Sequence, residues 1–240
     1  GMFTFAIYDT KEKKLFVARD PFGIKPLYYW VGPTSHEASQ GGRILAYSSE
    51  IKSFLKLLGF KPEVNDAAVY NYLSYQYNPL KETFFKNIFK LLPAHYMIID
   101  AITGKFEEKR YWQFKFNPDE SLDEEKTKKK ILETMQDSVA HHMIADVPVS
   151  SFLSGGIDSS IIVTLMSSSA KATAGQSKKI KTFTVTFGDV SEGVEAKETS
   201  EPLGTDHTEI TVGPQEYFEA LPKAIWHFDE PVGDPSALGL

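Results

Sequence analysis

Short apolar runs separated by polar turns fill the first half of the chain. Phe3–Tyr8 is such a run. It ends at Asp9-Thr10, and Lys11–Lys14 gives a polar turn before a second run, Leu15–Ala18. The pattern predicts a hairpin with a longer loop. Asp20-Pro21-Phe22-Gly23 is turn chemistry, because proline presets φ and glycine tolerates a positive one. Leu27–Val31 and Ile44–Ser48 predict two more strands around a polar loop, Gly32–Gly42. Ile51–Leu58 has the spacing of a short helix that Gly59 would close. Asn65-Asp66 is a candidate cap for a helix through Tyr77. Tyr96–Asp100 and Gly104–Tyr111 predict a second hairpin.

The period changes near Asn117-Pro118. Ser121–Met143 predicts a long helix with Ile131, Met135 and Val139 on one stripe. Strands are expected at Val147–Leu153, Thr182–Phe187 and Thr208–Val212. Helices are expected at Ser159–Ser168, Glu195–Ser200 and Gln215–Phe228. Ser167–Lys179, rich in serine, alanine and lysine, reads as a loop. Pro202 should end its helix early, since it has no N–H to continue the ladder. Strands alternating with helices imply a parallel, doubly wound α/β sheet. The expectation is two unlike modules, 1–117 and 118–240.

With 240 residues, 42% of them hydrophobic, the chain can bury a core, as one large domain or two small ones. A net charge of −6 argues against a nucleic-acid partner, which usually leaves a basic footprint. Lys126 and Lys128–Lys130 lie among acids and read as the solvated face of a helix. The chain has no cysteine, which excludes disulfides, thiolate metal sites and a cysteine nucleophile in it. No apolar run approaches the ~20 residues of a spanning helix, and no signal peptide is visible. A cytoplasmic protein without a membrane partner is therefore expected. His207 reads as a packed histidine, and His141-His142 point in different directions on a helix, a poor metal pair.

The sharpest chemical signal is Phe152-Leu153-Ser154-Gly155-Gly156-Ile157-Asp158-Ser159-Ser160, set between an expected strand and an expected helix. Two glycines let the backbone turn tightly and approach an anion closely. N–H groups from Gly156 to Ser159 would face that anion, with the helix dipole favouring negative charge. Ser154, Ser159 and Ser160 add hydroxyl donors. Asp158 accepts only, so it suits a Mg²⁺ ion shared with phosphate oxygens. No lysine follows the glycines, so this is not a kinase-type P-loop. The plain alternative is a glycine-rich strand-to-helix turn with an aspartate cap.

This segment resembles the Ser-Gly-Gly-x-Asp-Ser signature of ATP-pyrophosphatase (PP-loop) enzymes. Ala18–Tyr29, Phe3–Asp9 and Ser48–Lys52 resemble class II, N-terminal-nucleophile glutaminase domains. Lys181–Phe187, Leu203–His207 and Phe228–Ser236 are further similar stretches. In that order they resemble glutamine-hydrolysing asparagine synthetases over nearly the whole chain. The resemblance implies the second half of a glutaminase sandwich (1–117) followed by the first half of a PP-loop domain (118–240), an internal piece of a longer protein.

It further implies ATP-dependent amidation of aspartate, through an aspartyl-adenylate, with ammonia from glutamine. Phe152, Leu153, Ser154, Gly155, Gly156, Asp158, Ser159, Ser160 and Val185 would meet ATP and its pyrophosphate, with Mg²⁺ at Asp158. Asp229, Glu230 and Asp234 would border the pocket, although a helix-end role is the bland reading. A homodimer is implied for the full-length protein. Arg19 and Lys25 read as structural.

The glutaminase cysteine, the acidic Ser-Gly-Glu-Gly loop and a later lysine of the family have no counterpart here. The polypeptide alone is therefore expected to have neither glutaminase nor full synthetase activity. Ala94 stands where the family usually has glycine. Three alternatives stay open: amidation of another carboxylate, a non-catalytic nucleotide-binding remnant, and a tRNA-modifying PP-loop enzyme, which the acidic balance and Arg19–Tyr29 disfavour.

Overall fold

The computed structural model describes residues 1–33, 43–57, 60–121, 123–173, 179–187 and 192–234. They form two compact units: Gly1–Phe116 together with the segment that begins at Pro222, and Asn117–Leu221.

In the first unit the chain forms β1 (Thr4–Asp9), β2 (Lys14–Arg19), β3 (Tyr28–Pro33), β4 (Arg43–Ser48) and a 3-10 helix (Ile51–Lys56). It continues through α1 (Asp66–Tyr75), β5 (Ile88–Lys90), β6 (His95–Asp100) and β7 (Phe106–Arg110). Two antiparallel sheets result, ordered β1-β2-β6-β7 and β4-β3-β5. Side chains alternate across a strand, and the register sets Leu15 opposite Ile99 and Val17 opposite Met97. These four share a core with Tyr29, Val31, Phe89 and Leu91 of the other sheet and its border. The opposite face of β3 turns Trp30 into a second cluster with Ile51, Phe54 and Ile88. That cluster explains the 3-10 helix: its two buried residues, Ile51 and Phe54, lie three apart, one 3-10 turn.

The turn after β2 is held by two neighbouring side chains. The Arg19 guanidinium donates to the carbonyls of Leu91 at 2.6 Å, Gly23 at 2.7 Å and Lys25 at 2.8 Å. The Asp20 carboxylate accepts from the N–H groups of Phe22, Ile24 and Lys25 at 3.1, 3.0 and 3.0 Å. Arg19 is thus structural, and its partners are carbonyls. Helix α1 ends at Tyr75, two residues before the expected end, because Gln76 adopts φ 65° and closes it. Asn65 does not cap with its side chain, which instead donates to the Thr83 carbonyl at 3.0 Å. Gly59 and most of the Gly32–Gly42 loop lie outside the described residues.

The second unit contains α2 (Glu124–His142), β8 (Ser150–Phe152), α3 (Ile157–Thr173), β9 (Lys181–Thr186), α4 (Gly193–Leu203) and β10 (Asp206–Thr211). It also holds the start of α5 (Pro214–Phe228). The three strands are parallel in the order β8-β9-β10. Asp123 caps α2, accepting from the Lys126 N–H at 2.8 Å. Leu153, Val163 and Ala196 form the core, with Leu203 packed on it.

Three expectations are corrected. Strand β8 begins only at Ser150, since Pro148 cannot donate to a ladder and Val147 is exposed. The presumed loop from Ser167 is helical as far as Thr173, and Ser168 returns its hydroxyl to the Thr164 carbonyl at 3.0 Å. Helix α4 runs through Pro202 to Leu203. In the last turn a proline forfeits one bond, and Gly204 at φ 66° ends the helix instead.

Candidate functional site

The loop Ser154–Gly156 leaves the sheet from a fixed point. The Leu153 N–H donates to the Phe183 carbonyl at 2.8 Å, and the Leu153 carbonyl accepts the Thr184 hydroxyl. Both partners belong to β9, so the last residue before the loop is bound on each side of its backbone. Gly155 then takes φ 75°. A Cβ there would lie 2.5 Å from the Glu195 Cβ and 2.8 Å from the Ala196 nitrogen, at the start of α4. Gly155 is required twice, by conformation and by space.

Gly156 is different. Its φ is not positive, and a Cβ would meet only the Ser154 Oγ, at 3.3 Å. A larger residue there is opposed by that one serine hydroxyl alone, which would have to shift by a few tenths of an ångström. The open side lies at the start of α3, where the first helical bond runs from the Ser160 N–H to the Gly156 carbonyl at 3.0 Å. The N–H groups of Ile157, Asp158 and Ser159 therefore precede the ladder and point out of the helix end. Such an end favours anions through its orphan donors and its dipole.

The hydroxyls are linked around this end. Ser159 Oγ donates to the Gly156 carbonyl at 3.0 Å and lies 3.0 Å from Ser154 Oγ. The Gly156 N–H donates to Ser154 Oγ at 3.3 Å, and the Ser154 N–H to Ser159 Oγ at 3.3 Å. Ser160 Oγ reaches Thr199 Oγ1 of α4 at 3.3 Å. Asp158, in the first turn, is exposed. No group of three or more metal-ligating side chains occurs among the described residues. A single carboxylate fits a Mg²⁺ ion held mainly by substrate phosphates and water, the usual habit of that ion.

The structure thus gathers Phe152 through Ser160 on one strand–loop–helix passage, with Val185 half-buried on adjacent β9. Asp229, Glu230 and Asp234 fall in the first unit. The carboxylates of Asp229 and Glu230 are engaged there with backbone N–H groups and lysines. His207 is packed, its Nδ1 3.0 Å from Thr182 Oγ1. Sequence reasoning missed Thr184, Thr199 and Glu195, which brace the loop. Thr184 left a trace: Thr182, Thr184 and Thr186 alternate along a strand and are all buried, and a buried hydroxyl needs a partner.

Residues 1–112 match the family model of the glutamine amidotransferase domain, and residues 130–240 match that of asparagine synthase. Asparagine synthetase [glutamine-hydrolyzing] 1 of Bacillus subtilis (strain 168) is 36% identical over 243 residues, covering 100% of this chain and 35% of the relative. Over its whole length the chain is similar to a glutamine-hydrolysing asparagine synthetase, and its two halves match those two family models in that order. A putative asparagine synthetase [glutamine-hydrolyzing] 2 of Methanocaldococcus jannaschii is 31% identical over 98% of the chain and 44% of its own length. Amidase chyE of Penicillium rubens is 32% identical over 100% of the chain and 35% of its own length. The chain therefore spans 35 to 44% of the length of these relatives. The stretch between the two family matches, residues 113–129, contains the border between the compact units at Phe116 and Asn117.

Proposed function

We propose that the Ser154–Ser160 loop holds the pyrophosphate of ATP in a protein that converts aspartate to asparagine. In this reading residues 1–117 are part of a class II glutaminase module and 118–240 part of an ATP-pyrophosphatase module. The observation that carries it is the contrast between the two glycines. Gly155 is a glycine the fold needs, whereas at Gly156 the fold sets only a 3.3 Å contact with the Ser154 hydroxyl against a Cβ, and the close approach of a ligand would supply the rest.

An aspartate β-carboxylate oxygen would attack the α-phosphorus of ATP as the bond to the β-phosphate oxygen breaks, releasing pyrophosphate. Glutamine-derived ammonia would then attack the acyl carbon and release AMP. Ser154, Gly155, Gly156 and Ser159 would bind the leaving pyrophosphate, and the backbone near Phe152 and Val185 would border adenine. Asp158 would hold Mg²⁺, whose charge offsets that of the phosphates. The chain's share is preorganised donors at the point where charge develops. A second reading, amidation of another carboxylate, draws support from the amidase names among the relatives.

The test is calorimetric titration of the chain with Mg·pyrophosphate and with Mg·ATP. Asp158→Ala is expected to weaken binding at least ~10-fold, the effect of losing one charge-assisted contact, and Gly156→Ala by about as much, because its Cβ would hold the anion off the backbone. Gly156→Ala should leave the melting temperature unchanged. Undiminished binding by Asp158→Ala would remove the metal from the proposal, and undiminished binding by both variants would end it.

A further inference from the structure

Within α5, at Pro222, the chain re-enters the first unit, and after the helix it fastens there at three separate places. Asp229, at φ 65°, turns its carboxylate onto the start of the 3-10 helix. Its Oδ2 accepts from the Ile51 N–H at 2.7 Å and its Oδ1 from the Lys52 N–H at 3.1 Å, with Lys52 Nζ at 3.3 Å. Glu50, the helix's own N-cap residue, makes no capping bond. Asp229 therefore does from a distance in sequence what an N-cap side chain usually does locally.

Glu230 accepts from the Phe84 N–H at 2.9 Å and pairs with Lys90 Nζ at 2.8 Å. The Gly233 N–H donates to the Gln76 carbonyl at 3.0 Å, at the αL end of α1. A Cβ on Gly233 would come within 2.7 Å of the Gln76 Cβ. The two carboxylate side chains are only 5% and 12% exposed.

Apolar packing does little of this holding. The last turns of α5 present Pro222, Ile225 and Trp226 to Ile51, Leu55, Phe60 and Phe85, yet a cleft of about 210 Å³ stays open among them. Trp226 is 56% exposed. The fastening is polar.

We propose that Asp229 and Glu230 form a two-carboxylate clasp that makes the segment from Pro222 to Asp234 an integral part of the first unit. The first unit is then built from two stretches far apart in sequence. One of them lies inside the residues matched by asparagine synthase. A border drawn near residue 117 would cut the amidotransferase part away from the piece that caps its 3-10 helix. The clasp is a structural assignment and does not depend on what the loop binds.

Amide hydrogen exchange on the whole chain tests it. In an Asp229→Ala/Glu230→Ala variant the amides of Ile51, Lys52, Phe84 and Gly233 should exchange at least ~10-fold faster, since the first three lose charge-assisted bonds to a carboxylate and Gly233, bonded to the Gln76 carbonyl, loses the anchors that hold its segment there. The amides of Val17 and Met97, in the sheet core, should keep their rates. Glu230→Gln is the milder variant: it keeps the shape and one acceptor oxygen but removes the ion pair with Lys90. It should speed Phe84 and Gly233 and spare Ile51. Unchanged exchange at these amides in both variants would overturn the clasp, as would an equal acceleration that includes Val17 and Met97.

Discussion

Asp20 is 1% exposed, and its carboxylate faces three backbone N–H groups. Burial pushes its pKa up, but the bonds from Lys25, Ile24 and Phe22 push it down and prevail, so the group sits below its ordinary value. A depressed folded value gives stability that is fully present above the unfolded pKa, about 3.9, and is lost as pH falls through the folded value. Asp20→Asn should cost about 1.5–3 kcal/mol at neutral pH. It should also flatten the acid limb of a stability–pH curve measured by denaturant titration. An unaltered acid limb would show that other carboxylates govern it. Ala94 carries the opposite lesson. It holds φ 61° at 2% exposure, with its N–H bonded to the Asp20 carbonyl at 2.9 Å. A left-handed alanine costs about 1–2 kcal/mol, and glycine gives back about 0.4–1 kcal/mol through the freer unfolded chain. Ala94→Gly should therefore stabilise by roughly 0.5–1 kcal/mol. An unchanged or lowered midpoint of urea unfolding would contradict that. The resemblance already marked this residue as a departure, but only the backbone angle gives the departure a sign.

Elements were legible where the pattern is long or the punctuation strong. The two hairpins β1–β2 and β6–β7 pair as expected, because each has an alternating apolar face bounded by turn residues. Helix α2 was legible from its acidic cap and its stripe. Strand β5 escaped notice: three residues after Asn87, at φ 65°, are too few to show a period, although Ile88 is fully buried. Helix α4 was misjudged at Pro202, because a proline rule learned for helix interiors weakens in a last turn. Leu153 and the two glycines were readable from the sequence as a strand-to-helix loop. Their bracing was not, because the Thr184 hydroxyl and the Glu195 stem come from elements separated from the loop by whole helices and strands. Asp229 and Glu230 illustrate the same limit. A helix-end aspartate followed by glutamate carries no mark of the backbone the two will meet 178 and 146 residues earlier.

At the scale of the whole molecule the two units differ in how much apolar surface they hide. Among the described residues the first has two buried clusters, and the second has one, Leu153, Val163 and Ala196 with Leu203 beside them, while Leu165, Met166 and Ile180 are buried outside it. Ile144, Val147 and Ile157 of the second unit are 80%, 70% and 79% exposed. Less burial means less stability, since apolar burial is the dominant favourable contribution. The second unit should therefore unfold first. The chain supplies separate reporters for the two: its three tryptophans, Trp30, Trp112 and Trp226, all lie in the first unit, while α2, α3 and α4 lie in the second. On heating, far-ultraviolet circular dichroism should lose most helix signal before tryptophan fluorescence changes. A ligand that binds only the folded second unit stabilises that unit alone, by about 2.7 kcal/mol at a free concentration near 100 times Kd. Mg·pyrophosphate should accordingly raise the dichroism transition by several degrees and leave the fluorescence transition in place. If both transitions coincide and rise together, the units unfold as one cooperative body. If only the fluorescence transition rises, the anion binds in the first unit, and the Ser154–Ser160 loop is not its site.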